Sequence, residues 1–193
     1  MLLSSDGDDV DSVELAESVG ARILGGECAS CEFKPWVDPN RANVKFKEIL
    51  RTVVAMGNTA GGCIFIGVKD SGDVQRLDGK VLGRYIAEAS QKLGHDASDD
   101  ERKLEAIQIY GTKVRDEIQK GVNPSAELQL QPVNLESGKV LLICVDPGPQ
   151  RPYELVENHE VLVRSNATNR RPTLEERSQL HQPAVVENSR HNR

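Results

Sequence analysis

The clearest helical pattern in the chain lies between residues 45 and 57. Apolar residues and one glycine recur there at intervals of three and four, which places them on one face of an α-helix. These residues are Phe46, Ile49, Leu50, Val53, Val54 and Gly57. The turn-forming residues 58–62 end the helix, and the wholly apolar run 63–68 predicts a strand covered on both faces.

Weaker patterns predict two elements before this helix. Residues 1–8 are predicted to be a flexible acidic segment, and residues 9–19 to form a short helix. A strand is predicted around residues 31–35. Because side chains alternate along a strand, Phe33 would face the core while Glu32 and Lys34 share the other face.

Two helices are predicted in the middle of the chain. The first spans about residues 80–93. The second begins after Ser98, which has capping-box spacing to Glu101. Its predicted inner stripe consists of Leu104, Ile107, Gly111, Val114 and Ile118.

The remaining pattern favours strands followed by one short helix. Strands are predicted where Leu128 and Leu130 alternate with polar residues and at residues 140–145. A hairpin is predicted from residues 153–156 and 161–164. Thr173 and Glu176 again have capping-box spacing and predict a helix to about residue 180.

Short apolar strands interspersed with amphipathic helices indicate an α/β fold, a mixed sheet flanked by helices. The 193 residues suit a single domain. We place it at residues 9–182, between the flexible residues 1–8 and a disordered tail at 183–193.

The charge of the chain argues only in part against a protein that binds nucleic acid. The net charge is −6, whereas proteins that bind nucleic acid through charge alone are usually basic. Acidic residues crowd the first seventeen positions, so a local basic patch elsewhere stays possible. There is no apolar run of about 20 residues to span a membrane and no signal peptide, which predicts a cytoplasmic protein with reduced cysteines.

Three acids stand where predicted strands begin or end. Glu27 and Glu32 flank the start of the first strand, and Asp70 follows the apolar strand. Carboxylate oxygens of this kind suit Mg²⁺ or Mn²⁺, which can activate water and neutralise a leaving oxygen in phosphodiester cleavage. Lys34 would support such a site by binding a phosphate oxygen. The alternative is that the acids are solvated or salt-bridged and that Lys34 pairs with Glu32.

An ordered series of motifs resembles the Schlafen AlbA-type domain over about residues 24–180. The series consists of Glu27, Glu32-Phe33-Lys34, Ala55-Met56-Gly57-Asn58-Thr59-Ala60-Gly61-Gly62, Gly67-Val68-Lys69-Asp70-Ser71-Gly72, Val161-Leu162-Val163-Arg164-Ser165 and Arg171-Pro172. Nucleases of that family cut transfer RNA or ribosomal RNA with two glutamates, one aspartate and Mg²⁺ or Mn²⁺. The resemblance implies that Glu27, Glu32 and Asp70 are those acids.

The resemblance thus implies a metal-dependent endoribonuclease, in which replacing Glu32 or Asp70 by alanine abolishes cleavage. Many prokaryotic members instead carry a DNA-binding label, which leaves a non-catalytic nucleic-acid-binding module as the alternative. The vertebrate nuclease core joins two such lobes and this chain has one. A homodimer, or a pairing with another chain, is therefore expected to supply the second lobe. A further alternative is that this lobe is inactive and that a partner chain brings the active site.

Basic residues cluster in two stretches and predict a track for phosphates. They are Lys45, Lys47 and Arg51 on the first long helix, with Arg41 before it, and Arg164, Arg170 and Arg171 near the C-terminus. Without aromatic residues between them, backbone and shape recognition of structured RNA is favoured over stacking of bases, and DNA is the alternative. The alternative is that each of these basic residues is an ordinary solvated surface charge.

Two further patterns have a structural and a functional interpretation. Residues 58–62 either cradle a phosphate through backbone amides or, as we favour, form a tight turn; the pattern of an ATP-binding P-loop is absent. Cys28, Cys31, Cys63 and Cys144 could bind zinc. Their spacing does not form a second zinc knuckle, so buried structural cysteines are expected.

Overall fold

The computed structural model describes residues 6–77 and 79–181, which form five helices and eight strands. In chain order these elements are α1 (Asp6–Leu24), β1 (Cys31–Lys34), α2 (Val44–Gly57), β2 (Gly62–Ile66), α3 (Gly79–Leu93), α4 (Asp99–Gly121), β3 (Val122–Asn123), β4 (Leu128–Leu135), β5 (Gly138–Val145), β6 (Glu154–Leu155), β7 (Val163–Ser165), β8 (Thr168–Arg170) and α5 (Leu174–Leu180). Residues 1–5 and the predicted tail 183–193 lie outside the described residues.

A mixed four-stranded sheet forms the centre, in the order β1-β2-β5-β4. β1 runs parallel to β2, whereas β5 is antiparallel to both of its neighbours, β2 and β4. Two small ribbons, β3 with β6 and β7 with β8, lie outside this sheet. The predicted α/β class with a mixed sheet is confirmed.

The two faces of the sheet bury different cores. Ile64 and Ile66 of β2 join residues of α2, α3 and α4 in the larger core. Phe65, between them in sequence, packs with Phe33 in a second core closed by Val19 and Ile23 of α1. The alternation predicted for residues 31–35 is therefore confirmed, since Glu32 pairs in register with Ile64 and Phe33 with Phe65.

Helix α2 confirms the strongest sequence prediction. All six residues of its predicted stripe are buried. The side chain of Asn43 caps the start by accepting a hydrogen bond from the backbone N–H of Lys45 at 3.0 Å. The helix also buries Thr52, Ala55 and Met56, so its second half is enclosed on more than the predicted face.

The predicted hairpin from residues 153–156 and 161–164 is wrong. β6 pairs with β3 at the end of α4, and β7 pairs with β8. A strand of two residues is too short for its sequence to specify a partner. Its partner is the strand that the rest of the fold places beside it. Helix α4 positions that strand, because β3 follows the helix directly.

Two other predictions need correction. Helix α1 spans Asp6–Leu24 rather than residues 9–19, and its extension brings Ile23 over the sheet. Leu104 was placed in the inner stripe of α4 but is 41% exposed, while Tyr110 is buried and donates to the carbonyl oxygen of Val37 at 2.8 Å. None of the helices within the described residues is long and apolar enough to cross a membrane.

Candidate functional site

Glu32, one of the three predicted acids, is buried in the middle of β1 with 6% of its surface exposed. One carboxylate oxygen accepts from the Lys34 ammonium group, and the other accepts from Nη2 of Arg164 at 2.5 Å. Both oxygens are therefore occupied by cations of the same chain. The alternative in which Lys34 pairs with Glu32 is the arrangement that the structure contains.

Arg164 fastens β7 to the loop that precedes β1. Its side chain is 2% exposed, and its guanidinium group donates to the carbonyl oxygens of Cys28 at 3.1 Å, Ala29 at 3.4 Å and Cys31 at 3.3 Å. It also donates to Oδ1 of Asn169 at 2.9 Å. Arg164 was predicted to contact nucleic acid, but burial directs it inward, and it serves as a structural partner of Glu32.

Glu27 lies beside the same strand and blocks its outer edge. Its Oε1 accepts from the backbone N–H of Phe33 at 2.8 Å. Because β1 has β2 as its one neighbour in the sheet, this N–H has no strand partner. The carboxylate of Glu27 supplies the missing acceptor and sits between Glu32 and Lys34 along the strand.

Asp70 makes no hydrogen bond or ion pair with Glu27, Glu32 or Lys34. It is exposed in the turn between β2 and Val74, where the backbone N–H of Lys69 donates to the carbonyl oxygen of Asp73 at 3.0 Å. Among residues 6–77 and 79–181, no three histidine, cysteine, aspartate or glutamate side chains form a group that could hold a metal ion. The side chains as arranged therefore do not fit Mg²⁺ or Mn²⁺, nor zinc.

The predicted basic track coincides in part with two adjoining cavities that share Asn158. We call them together the basic groove; their volumes are about 370 Å³ and about 540 Å³. Five cations and two carboxylates line it: Arg41, Lys47, Arg51, Arg171 and Arg177, with Glu157 and Glu160. This local excess of positive charge lies on a chain whose net charge is −6.

Ion pairs hold the cations of the groove in place. Glu160 accepts from Arg51 at 2.5 Å and from Arg171 at 3.2 Å, and Lys47 pairs with Glu157 at 2.7 Å. Arg171 is nevertheless 82% exposed. The pair of Lys47 with Glu157 is partly exposed on both sides and contributes about 0–1 kcal/mol, whereas Glu160 is only 11% exposed. A phosphate group therefore competes most readily for Lys47 and for the exposed side chain of Arg171.

The other predicted phosphate contacts lie elsewhere. Lys45 is exposed on α2 but lines neither cavity. Arg170 pairs with Glu176 at 2.6 Å, and the same contact lowers the pKa of the Glu176 carboxyl to about 2. Sequence reasoning missed Arg177, which lies in the last turn of α5 and lines the groove with Arg171 and Pro172. Its closeness in sequence to Arg171-Pro172 was the signal that could have identified it.

Asn58, at the end of α2, ties that helix to the chain at Tyr153 and Leu162. Its Nδ2 donates to the carbonyl oxygens of Tyr153 at 2.8 Å and Leu162 at 2.9 Å, and its Oδ1 accepts from the backbone N–H of Tyr153 at 2.7 Å. Gly61 follows with φ of 77°, and a Cβ there would lie 2.6 Å from the carbonyl oxygen of Val145. Residues 58–62 therefore form the tight turn that was favoured, closely packed against other parts of the chain.

Comparison with known proteins places these features in a family. The model of the family described as Schlafen, AlbA_2 matches residues 27–173, from Glu27 to the residue that caps α5. No curated protein matches the sequence. A similar solved structure is the crystal structure of the DIP2311 protein from Corynebacterium diphtheriae, with 17% identity and a TM-score of 0.46. The match covers 86% of this chain and 27% of that one, so the chain spans about a quarter of that structure's length.

Proposed function

The chain belongs to the Schlafen AlbA_2 family, which supports a nucleic-acid-related function, and from this premise we propose that it binds nucleic acid along the basic groove. The observation that carries the proposal is the excess of cations in the groove, five against two carboxylates, on an otherwise acidic chain. A concentration of this kind attracts the phosphate backbone and releases its counterions.

The lining of the groove favours recognition of the backbone over recognition of bases. Its described lining consists of arginine, lysine, glutamate, Asn158, His159 and small or aliphatic residues, with no phenylalanine, tyrosine or tryptophan. Stacking platforms for single strands need such aromatic rings. Shape and phosphate contacts are the usual means of binding structured RNA, so we propose transfer or ribosomal RNA as the ligand class, with duplex DNA as the competing one.

Removing two cations from the groove is expected to weaken binding. The double variant Arg171→Ala with Arg177→Ala should lose at least tenfold in affinity for labelled transfer RNA at about 50 mM salt. The slope of log K against log salt should become shallower by about 2, since each lost phosphate contact contributes about 1. Fluorescence anisotropy over a salt series measures both quantities.

The matched control removes two exposed cations outside the groove, Arg84→Ala on α3 with Lys103→Ala on α4, whose partners are Asp38 and Asp99. Its net charge change is the same, so affinity should stay within about threefold of the unaltered protein if binding is local rather than a response to net charge. Equal weakening in the two double variants, or an unchanged slope in the groove variant, would contradict the proposal.

A metal-dependent endoribonuclease is the second candidate, favoured by the placement of Glu32 and Lys34 on β1 with Glu27 beside that strand. The family resemblance assigns these acids, with Asp70 and Mg²⁺ or Mn²⁺, to cleavage of transfer or ribosomal RNA. The side chains as arranged do not fit the ion, because Glu32 is occupied by Lys34 and Arg164 and because the acids of the described residues form no group of three that could hold a metal. No cleavage step follows from this arrangement, and binding without cutting is the function that it supports.

A cleavage assay separates the two candidates. The purified protein is incubated with labelled transfer RNA, single-stranded DNA and duplex DNA in Mn²⁺, in Mg²⁺ and in EDTA. We expect no metal-dependent cutting and RNA binding that EDTA does not weaken. Asp70→Asn is the informative variant because Asp70 is exposed, and Asp73→Asn in the same turn is its control. Metal-dependent cuts that vanish in Asp70→Asn and persist in Asp73→Asn would establish the nuclease instead.

A further inference from the structure

Three cysteines form a row across adjacent strands of the sheet. Cys31 on β1 pairs in register with Cys63 on β2, and Cys63 pairs in register with Cys144 on β5. Their side chains lie on the face covered by α1, whereas the groove is built from α2 and the segments that follow β5. The Sγ atoms of Cys63 and Cys144 are 3.3 Å apart, and both thiols are free.

A cation lies over one member of this pair. Nη1 of Arg22, in the last turn of α1, donates to Sγ of Cys63 at 3.1 Å. The hydrogen bond with Cys144 lowers the pKa of Cys63 to about 6, Arg22 acts in the same direction, and burial and Asp146 oppose them. That hydrogen bond and burial raise the pKa of Cys144. The pKa of Cys63 is therefore lower than that of Cys144. A nucleophilic cysteine and a resolving cysteine differ in the same way.

We propose that Cys63 and Cys144 are a redox-active dithiol that forms a reversible disulfide between β2 and β5. Closing the bond requires the two sulfurs to approach from 3.3 Å to about 2.05 Å. Neighbouring strands already hold the two residues opposite each other, so the approach needs side-chain rotation rather than a rearrangement of the fold. Cys31, buried beside Cys63, lacks such a sulfur contact with Cys144.

We propose hydrogen peroxide as the oxidant. Cys63 is only 7% exposed, and a small oxidant reaches such a thiol more readily than a large one does. The Cys63 thiolate attacks one peroxide oxygen and breaks the O–O bond, giving a sulfenic acid and hydroxide, which takes a proton to become water. Cys144 then attacks the sulfenic sulfur. The S–S bond forms, and the hydroxyl group leaves with the Cys144 proton as a second water. A dithiol reductant then returns Cys63 and Cys144 to thiols by thiol–disulfide exchange and becomes a disulfide itself.

Peptide mapping of the unaltered full chain tests the proposal. The reduced protein is treated with a small excess of hydrogen peroxide, alkylated, digested with trypsin and analysed by mass spectrometry. The peptide that carries Cys63 and the one that carries Cys144 should appear joined, with two thiols lost per chain and both recovered after dithiothreitol. The Cys28→Ser variant should behave identically, because Cys28 is exposed and lies on a different tryptic peptide together with Cys31.

Two results would overturn the proposal. One is oxidation of Cys28 or Cys31 while Cys63 and Cys144 stay open to alkylation. The other is conversion of Cys63 to a sulfinic acid without a cross-link, which would show that Cys144 does not resolve it. Neither result would bear on nucleic-acid binding, since the dithiol and the basic groove belong to different faces of the sheet.

Discussion

The Arg164→Ala variant is expected to be less stable than the unaltered protein by about 3–5 kcal/mol. The substitution leaves the Glu32 carboxylate buried with Lys34 as its one remaining ion-pair partner, and it removes the donor that three backbone carbonyls before and within β1 share. A buried charge that loses its partner retains its full desolvation cost. Urea denaturation followed by the fluorescence of Trp36, the single tryptophan, gives the free energy of unfolding.

Arg170→Ala is the matched control, since Arg170 also binds a carboxylate, that of Glu176, at 2.6 Å. That pair is more than a third exposed on both sides, so solvent screens it and its loss should cost much less stability than the loss of Arg164. Similar small losses in the two variants would mean that Arg164 is solvated in solution. In that case Arg164 would again be a candidate contact for nucleic acid, and Glu32 would be free to bind a cation.

Replacing Asn58 by alanine is the second change with a large expected effect, a loss of about 3–5 kcal/mol in the free energy of unfolding. The variant leaves the backbone N–H and carbonyl group of Tyr153 and the carbonyl of Leu162 without their partner in the interior. Each buried polar group left unsatisfied costs about 1–3 kcal/mol. The same urea denaturation measures the loss.

Asn134→Ala is the control for this variant, because Asn134 is exposed and its side chain bonds to Lys139 near the surface. Its effect should stay within about 0.5 kcal/mol. An Asn58→Ala protein as stable as the control would show that water replaces the three hydrogen bonds. The segment from Tyr153 to Leu162 would then be held to α2 by apolar packing alone.

The elements that the sequence predicted well depend on neighbours close in the chain. The stripe of α2 lies within one helix, and the capping boxes at Ser98 and Thr173 join residues three positions apart; each is present. Such signals depend on helix geometry, which the rest of the fold does not alter. The fold class followed from them because helices and strands of known order leave few arrangements of layers.

The candidate site was harder to predict because its contacts are distant in sequence. Arg164 lies 132 positions from Glu32, and nothing in the local pattern distinguishes it from the solvated Arg171. Asp70 follows a strand end, as predicted, but the turn at residues 69–73 directs it to solvent. Which charges meet in the interior depends on how β7 packs against β1 and α2, and a sequence pattern does not contain that information.

The two edge strands of the sheet, β1 and β4, also affect how copies of this domain can associate. At one edge the carboxylate of Glu27 occupies the free N–H of Phe33, and at the other edge β4 carries Pro132, which has no N–H to donate. Each edge therefore lacks a backbone N–H donor that an added strand would need. This disfavours growth of the sheet from molecule to molecule. We therefore expect any self-association of this domain to use side-chain surfaces rather than its sheet edges, and we expect the same two residues to disfavour fibrous aggregation in a crowded solution.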